Sequence, residues 1–432
     1  MVRLSGPAAV AQARQLCTPF PAQARTATLT TIHHATDDRV VDRALVTWFA
    51  SPASYTGEDV VEFAVHGGTL VSTLVVEACV AAGARPALPG EFTERAVLNG
   101  KMDMVQAEAV ADLIDARSRA AHRAAVRQLD GALSQRITTM RESLLQVDAL
   151  LAYDIDFPDE DEAPPSQARV LAACDDALAQ IDRLLATLPA AALGRDGILV
   201  VIAGPPNAGK SALLNALVGE ARVIVSDQPG TTRDAVEVLV DDAPYPLRLV
   251  DTAGLRAADD TIERLGIEVS ERYLAQAHVV LACAEDDAQL ARARETIGAM
   301  TRGVVVAVRT KADLHAAAAD GETLDDTAVR VSAHTGEGLD RLRQTIRIVG
   351  TSAAVLPDAD TPMITRARHE AALRLAQEEL RAFRAAWAKG ALPAPVAATH
   401  LRAAVTALES LIGAVDVEDI LDRVFRTFCI GK

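Results

Sequence analysis

Aromatic side chains are scarce in this 432-residue chain, 3% of the total against 50% hydrophobic residues overall. A core built on ring packing is thereby excluded, and abundant alanine and aliphatic residues point to helices packed through small side chains. Cysteine is sparse as well: five residues, far apart, with no Cys-x-x-Cys pair. That excludes a disulfide framework or zinc site and favours a reducing compartment. No apolar run reaches membrane-spanning length, and the N-terminus lacks a charged-then-apolar leader. A soluble, cytoplasmic protein with no membrane partner is expected. Positive charge is in deficit: 43 Lys and Arg against 59 Asp and Glu give a net −16. An RNA substrate would therefore need a local basic patch or a partner that carries the binding. Repeats of solenoid length are absent.

What is present is concentrated in one segment. Residues Gly204-Pro205-Pro206-Asn207-Ala208-Gly209-Lys210-Ser211 follow the unbroken apolar run Gly197 to Ala203, which reads as a buried parallel strand. This spacing is that of a phosphate-binding loop. Glycines let backbone N–H groups turn inward around phosphate oxygens, Lys210 brings a point positive charge into the catalytic centre, and Ser211 offers a hydroxyl to Mg²⁺. A helix from Ala212 to Val218 would aim its positive end at the same phosphates.

Four later segments support the reading, each at a strand end. Asp227-Gln228-Pro229-Gly230-Thr231-Thr232 supplies a loop whose Thr232 can give a second hydroxyl to Mg²⁺. Asp251-Thr252-Ala253-Gly254 follows an apolar strand; there the aspartate holds the metal's water shell and the glycine N–H senses the terminal phosphate. Thr310-Lys311-Ala312-Asp313 ends a third strand, and Asp313 can accept two hydrogen bonds from the ring N–H and amine of guanine, an arrangement adenine does not present. Ser332-Ala333-His334 closes a fourth strand, where backbone N–H groups can reach the guanine carbonyl. Together these specify GTP. Asn usually opens the guanine motif. Thr310 offers one hydroxyl in place of an amide, so a looser tie between base site and phosphate loop is expected.

The chain divides into three regions of different pattern. Residues 1–98 alternate short β-branched stretches with a helix at Thr69 to Ala82, an α/β pattern. From residue 99 to 194 the pattern is helical; Ile137, Met140, Leu144, Val147 and Leu151 recur at near-heptad spacing, one helix of a bundle. The acidic, proline-containing stretch at 157–165 reads as a solvated loop. Residues 195–350 form the nucleotide module, and helices return over 351–432. Neither helical flank alone closes a core, so the module is expected to be inserted between two halves of one helical domain. The expected class is multidomain, α/β plus all-α.

Further motifs lie outside the nucleotide module: Tyr55-Thr-Gly-Glu-Asp-Val-Val-Glu62, His66-Gly-Gly68, Pro89-Gly-Glu-Phe-Thr-Glu-Arg95, Asn99 to Glu108, Ile155 to Asp159, and the terminal Phe428-Cys-Ile-Gly-Lys432. With these the chain resembles the MnmE or TrmE family of tRNA-modification GTPases over essentially its whole length. The resemblance implies a Ras-like P-loop GTPase domain, a helical bundle and an N-terminal domain that dimerises and binds a formylated tetrahydrofolate such as 5-formyl-tetrahydrofolate. It implies a separate FAD protein of the MnmG type, a heterotetramer with it, and modification of the wobble uridine of certain tRNAs. The folate contacts it implies are Arg3, Glu62, Lys101 and Lys432. By residue type alone, Arg3 and Lys101 read as solvated cations. Cys429 is the candidate for the modification chemistry; its other reading is a buried small hydrophobe beside Phe425 and Phe428.

In many GTPases a glutamine after Asp-x-x-Gly orients the attacking water. Here that residue is Leu255, which cannot do so. The resemblance supplies a K⁺ ion held by Asn207, Ser226, Gln228 and Thr231, and Glu263 acting through a bridging water. Two other functions remain at this point: a ribosome-assembly GTPase that binds rRNA, which should carry a basic domain after the module, and a GTP-regulated scaffold. The first residues, Met1 to Gly6, match the family only from the end of an early strand. The expectation is a natural product starting upstream of Met1, or weakened folate binding.

Overall fold

The computed structural model describes residues 1–116, 118–156, 167–219, 222–224, 237–242, 244–252, 271–314, 328–352, 361–389 and 393–413, without the side chains of 152–156, 222–224 and 394. The chain forms two compact units, one of Met1–Ala111, Gln128–Ala177 and Ala371–Lys432, the other of Asp112–Arg127 and Leu178–Glu370.

The first unit opens with a five-stranded antiparallel sheet. Its strands are β1 (Val2–Ser5), β2 (Cys17–Thr18), β3 (Thr28–His33), β4 (Val40–Phe49) and β5 (Val60–Ala64), in the order β1-β5-β4-β3-β2. Alternation along the strands puts Leu4, Ile32, Val46, Val61 and Phe63 on one face. There they pack against α1 (Ala9–Leu16) through Ala13 and Leu16, and against α2 (Thr69–Ala81) through Val75 and Ala78. On the other face, Arg3 and Glu62 stand opposite each other in register and pair at 2.6 Å.

The same unit holds long helices. In the helix Ala132–Asp156 the near-heptad residues Ile137, Met140, Leu144, Val147 and Leu151 are all buried. They are met by a helix far along the chain, Ala394–Ile412, which buries Leu401, Leu408 and Leu411. Arg141 Nε donates to Glu409 Oε1 at 2.7 Å between the two.

In the second unit seven strands lie in the order β12-β11-β10-β6-β9-β8-β7. They are β6 (Ile198–Ala203), β7 (Arg222–Ile224), β8 (Glu237–Asp241), β9 (Leu247–Asp251), β10 (Val279–Ala284), β11 (Val304–Arg309) and β12 (Val329–Arg330). The strands from β12 to β9 run parallel; β8 pairs antiparallel with β9, and β7 antiparallel with β8. Every residue of β6 and β10 is buried. Such strands must be apolar on both faces because helices cover both. Ile198, Val200 and Ile202 face one core with Leu213 and Leu342, while Leu199 and Val201 face another with Ile297. This unit also takes in flanking helical sequence, with Ala120, Ala190 and Leu193 packed beside Tyr245 and Leu247. Among the described residues no helix is long and apolar enough to cross a membrane.

Glu91 anchors the polar side of the first unit. It opens the helix Glu91–Leu98 and accepts hydrogen bonds from Arg85 Nη1 at 2.9 Å, Leu88 N at 2.8 Å and Arg95 Nη2 at 2.8 Å. The Arg85 hydrogen bond, joined by those of Leu88 and Arg95, lowers its pKa from 4.5 to about 2. A shift of that size corresponds to roughly 3 kcal/mol, an upper bound because water screens the exposed Arg85. Since the folded-state pKa is depressed, this stabilisation is complete above pH 4.5 and is lost as the pH falls toward 2. Urea titrations of wild type and Glu91→Gln should differ by a constant amount above about pH 5 and converge below it; a difference that persists in acid would show that the carboxylate charge is not the cause.

Candidate nucleotide site

The phosphate loop leaves β6 through Gly204, at φ +152°. A Cβ there would stand 2.1 Å from the Cys283 carbonyl oxygen of β10, so only glycine fits. Asn207 is left-handed at φ +61°, an uncommon conformation for a residue with a side chain. Lys210 begins the helix Lys210–Gly219, two residues before the expected start. Its ammonium is drawn into the loop, donating to the Gly204 carbonyl at 3.0 Å and the Pro205 carbonyl at 2.7 Å.

Because β6 and β9 are parallel neighbours, their C-terminal ends meet at one edge of the sheet. Ser211 Oγ donates there to Asp251 Oδ2, and Thr252 Oγ1 to the Ile202 carbonyl at 2.9 Å. A hydroxyl and a carboxylate brought together in this way form a hard-oxygen donor set suited to Mg²⁺.

Beyond β11 the guanine motif folds back over the loop. Gly209, Ala212, Thr310, Lys311, Asp313, Ala333 and His334, all expected at the nucleotide, line one recess of about 260 Å³. Asp313 Oδ1 accepts from Ser332 Oγ at 2.6 Å, and the Ser332 hydroxyl in turn accepts from Thr335 N at 3.1 Å. The carboxylate is thus oriented by a buried hydroxyl. Thr310 is buried too, and its Oγ1 lies 2.9 Å from the carbonyl oxygen of Ala208 in the phosphate loop and 3.2 Å from that of Ala284. The tie between base site and phosphate loop is therefore present, made by one hydroxyl.

Two contacts around the recess were not found from sequence. Leu213 lines it, one position beyond Ala212, and Glu285, which does not line it, pairs with the lining residue Lys311. Helix periodicity marks Leu213 only as core, and a carboxylate just after a strand carries no pattern of its own. Ser226, Asp227, Gln228, Pro229, Gly230, Thr231, Thr232, Ala253, Gly254, Leu255, Glu263, Cys429 and Lys432 lie outside the described residues. The four described cysteines, Cys17, Cys79, Cys174 and Cys283, are buried, and burial pushes each thiol up to about 11 or 12. None is poised as a nucleophile.

In the first unit, Arg3 is not a solvated cation. Besides pairing with Glu62, it lies 5.1 Å from the Tyr55 ring centroid and 5.7 Å from that of Phe92. Lys101 Nζ donates to the Pro52 carbonyl at 3.0 Å, on the loop that carries Tyr55. A recess of about 880 Å³ in this unit is lined by Arg3, Phe92 and Arg95 but not by Glu62 or Lys101.

Family models match both parts of the chain: "GTP-binding protein TrmE N-terminus" over residues 1–101 and "MnmE helical domain" over residues 104–429. The tRNA modification GTPase MnmE of Neisseria meningitidis is 41% identical over 446 aligned positions, covering 100% of this chain and 95% of the relative. That of Akkermansia muciniphila is 40% identical at the same coverage. The chain belongs to the MnmE (TrmE) family of tRNA modification GTPases. A likeness to the G domain of the T. maritima FeoB iron transporter covers 35% of the chain at 27% identity, with a TM-score of 0.27. Family membership decides against the ribosome-assembly alternative.

The recess makes base recognition testable. Asp313→Asn replaces an acceptor with a donor opposite the exocyclic position of the base and should move preference from guanine toward xanthine nucleotides by at least tenfold, on the order of 1.4 kcal/mol. Competition binding with GTP and XTP checks this, and unchanged GTP preference would remove Asp313 from the base site.

Proposed function

We propose that this chain is the GTP-hydrolysing subunit of a system that modifies the wobble uridine of certain tRNAs at C5. The observation that carries the reading is the Asp313 carboxylate, held by Ser332 in a recess that the phosphate loop closes through Thr310 and Ala208. Whole-chain family membership adds the tRNA substrate. Complementation of a deletion strain, read by mass analysis of wobble uridines, tests it; absence of a carboxymethylaminomethyl-type uridine in the complemented strain would overturn it.

For hydrolysis, Asn207, Ala208, Gly209 and Lys210 cradle the phosphates. Ser211 and Thr232 hold Mg²⁺, with Asp251 acting through its water shell. Asn207, Ser226, Gln228 and Thr231 hold K⁺, which supplies the charge stabilisation an arginine finger gives elsewhere, roughly 10³ to 10⁵ in rate. Glu263 positions the attacking water through a second one. Two nucleotide modules meeting in a dimer would order the loop around Ser226 to Thr232 and time the reaction.

The division into residues 1–98, 99–194 with 351–432, and 195–350 assigns dimerisation and one-carbon folate binding to the first domain. Arg3, Glu62, Lys101 and Lys432 contact the folate, whose carboxylated tail suits cations and whose pterin suits a carboxylate. The clustering of Arg3, Glu62, Tyr55 and Phe92 supports this. The domain acts as a homodimer, in a heterotetramer with an FAD protein of the MnmG type, in the reducing cytoplasm, with Cys429 in the modification chemistry.

Two measurements bear on hydrolysis. Exchanging K⁺ for Na⁺ at constant ionic strength should lower GTP turnover at least about tenfold, beyond any screening effect; equal rates would show that the loop holds no such ion. Glu263→Ala should leave GTP affinity nearly intact and slow turnover by roughly 10² or more, because the residue acts in the transition state. Normal turnover would return Glu263 to an ordinary surface carboxylate.

A further inference from the structure

The acidic balance of the chain is reversed over one short helical stretch, where cations fall close together. Between Asp115 and Asp130 there is no carboxylate, while Arg117, Arg119, His122, Arg123 and Arg127 all fall there. Arg117 lies outside the described residues. The others are carried by the helix Arg119–Leu129. It buries Ala120, Ala124 and Ala125, and Ala120 packs into the core of the second unit beside Leu193 and Tyr245. Its first turn is fixed there: Ser118 Oγ accepts from Ala121 N at 3.0 Å and donates to the Gly194 carbonyl at 2.8 Å.

With alanines turned inward, the long side chains are left on the outer face. Arg119, Arg123 and Arg127 are spaced four residues apart and so stand in one row, about 12 Å from first to last along the axis. Arg119, His122 and Arg123 are exposed or partly so, and Arg127 is half-buried. Arg119 has a 3.4 Å ion pair with Asp241 and is itself 75% exposed. Arg123 and Arg127 have no ion pair among the described residues.

We propose that this row is a contact surface for the phosphate backbone of tRNA. The inference rests on the reading that the protein acts in tRNA modification, and it says where the chain itself touches the RNA. Two features favour RNA over an acidic protein. Phosphate contacts need cations at a spacing and little else, and the most exposed side chains of this face, Arg119, His122 and Arg123, are of that kind. A protein interface needs an apolar or aromatic centre, whereas this helix has no aromatic residue and its larger apolar side chains, Val126 and Leu129, are only partly exposed. A helix anchored through Ser118 also presents the charges on a backbone that is already ordered, which lowers the ordering cost at binding.

The test uses the full-length protein and an unmodified tRNA, with binding followed by fluorescence anisotropy between about 50 and 200 mM KCl. The double variant Arg123→Gln/Arg127→Gln should bind about tenfold more weakly at the lower salt. Its slope of log K against log salt should be shallower by about 1.5, because each phosphate left without its cation takes about 0.7–0.9 from that slope. GTP turnover should be unchanged, and Arg123→Lys/Arg127→Lys should keep the wild-type slope. Unchanged affinity and slope in the Gln variant would overturn the proposal, as would wild-type protein that does not bind tRNA. Loss of wobble modification in cells with RNA affinity unchanged would also overturn it and would assign the row to an acidic protein partner. The underlying reading fails separately, when the wild-type chain restores no wobble modification whatever its RNA affinity.

Discussion

The nucleotide site depends on how closely the chain passes β10 as it leaves β6. At Gly204 there is no room for a side chain, because the Cys283 carbonyl occupies the place a Cβ would take. That contact holds the start of the phosphate loop against the sheet edge, between the ends of β10 and β9. Lys210, Ser211 and Ala208 then have little freedom left. Ser211 reaches Asp251 on one neighbouring strand and the Ala208 carbonyl meets Thr310 beyond β11 on the other side. The loop, the end of β9 and the segment after β11 are thus coupled through a few short polar contacts, and those made by the buried Thr310 are worth more than in water.

Thr310 shows how a departure from the usual motif is absorbed. An Asn would bring two donors, whereas the threonine hydroxyl has one hydrogen for two carbonyl oxygens, those of Ala208 and Ala284. The backbone N–H of Thr310 also donates to the Ala284 carbonyl, at 2.9 Å, so the hydroxyl can serve Ala208 without leaving the Ala284 oxygen unpaired. The tie survives with fewer bonds.

In the first unit the organising force is charge paired at low exposure. Arg3 with Glu62, and Arg95 between Glu58 and Glu91, hold the open face of the sheet to the loop of Tyr55 and the helix of Glu91. Removing one partner would leave the other charge poorly solvated, which costs more than the pair contributes. A surface of net charge −16 is compatible with an RNA substrate only if cations are collected locally, and the row on Arg119–Leu129 is such a collection.

Motif spacing alone raised the expectation of guanine as the base, of Lys210 and Ser211 as phosphate and metal groups, and of Asp313 as the selector. Those functions require specific residue types at fixed offsets from strand ends, and such patterns survive in one dimension. The burial of Ile137, Met140, Leu144, Val147 and Leu151 was legible for the same reason, a helical period. What covers that stripe was not, since the helix Ala394–Ile412 lies more than two hundred residues away and nothing local marks the pairing. Nor could sequence show that Ser332 orients Asp313, that Leu213 lines the recess and Glu285 pairs with Lys311 beside it, or that Arg3 lies against the rings of Tyr55 and Phe92. These contacts join segments brought together only by sheet order and register, and a side chain's chemistry depends on its neighbours in space.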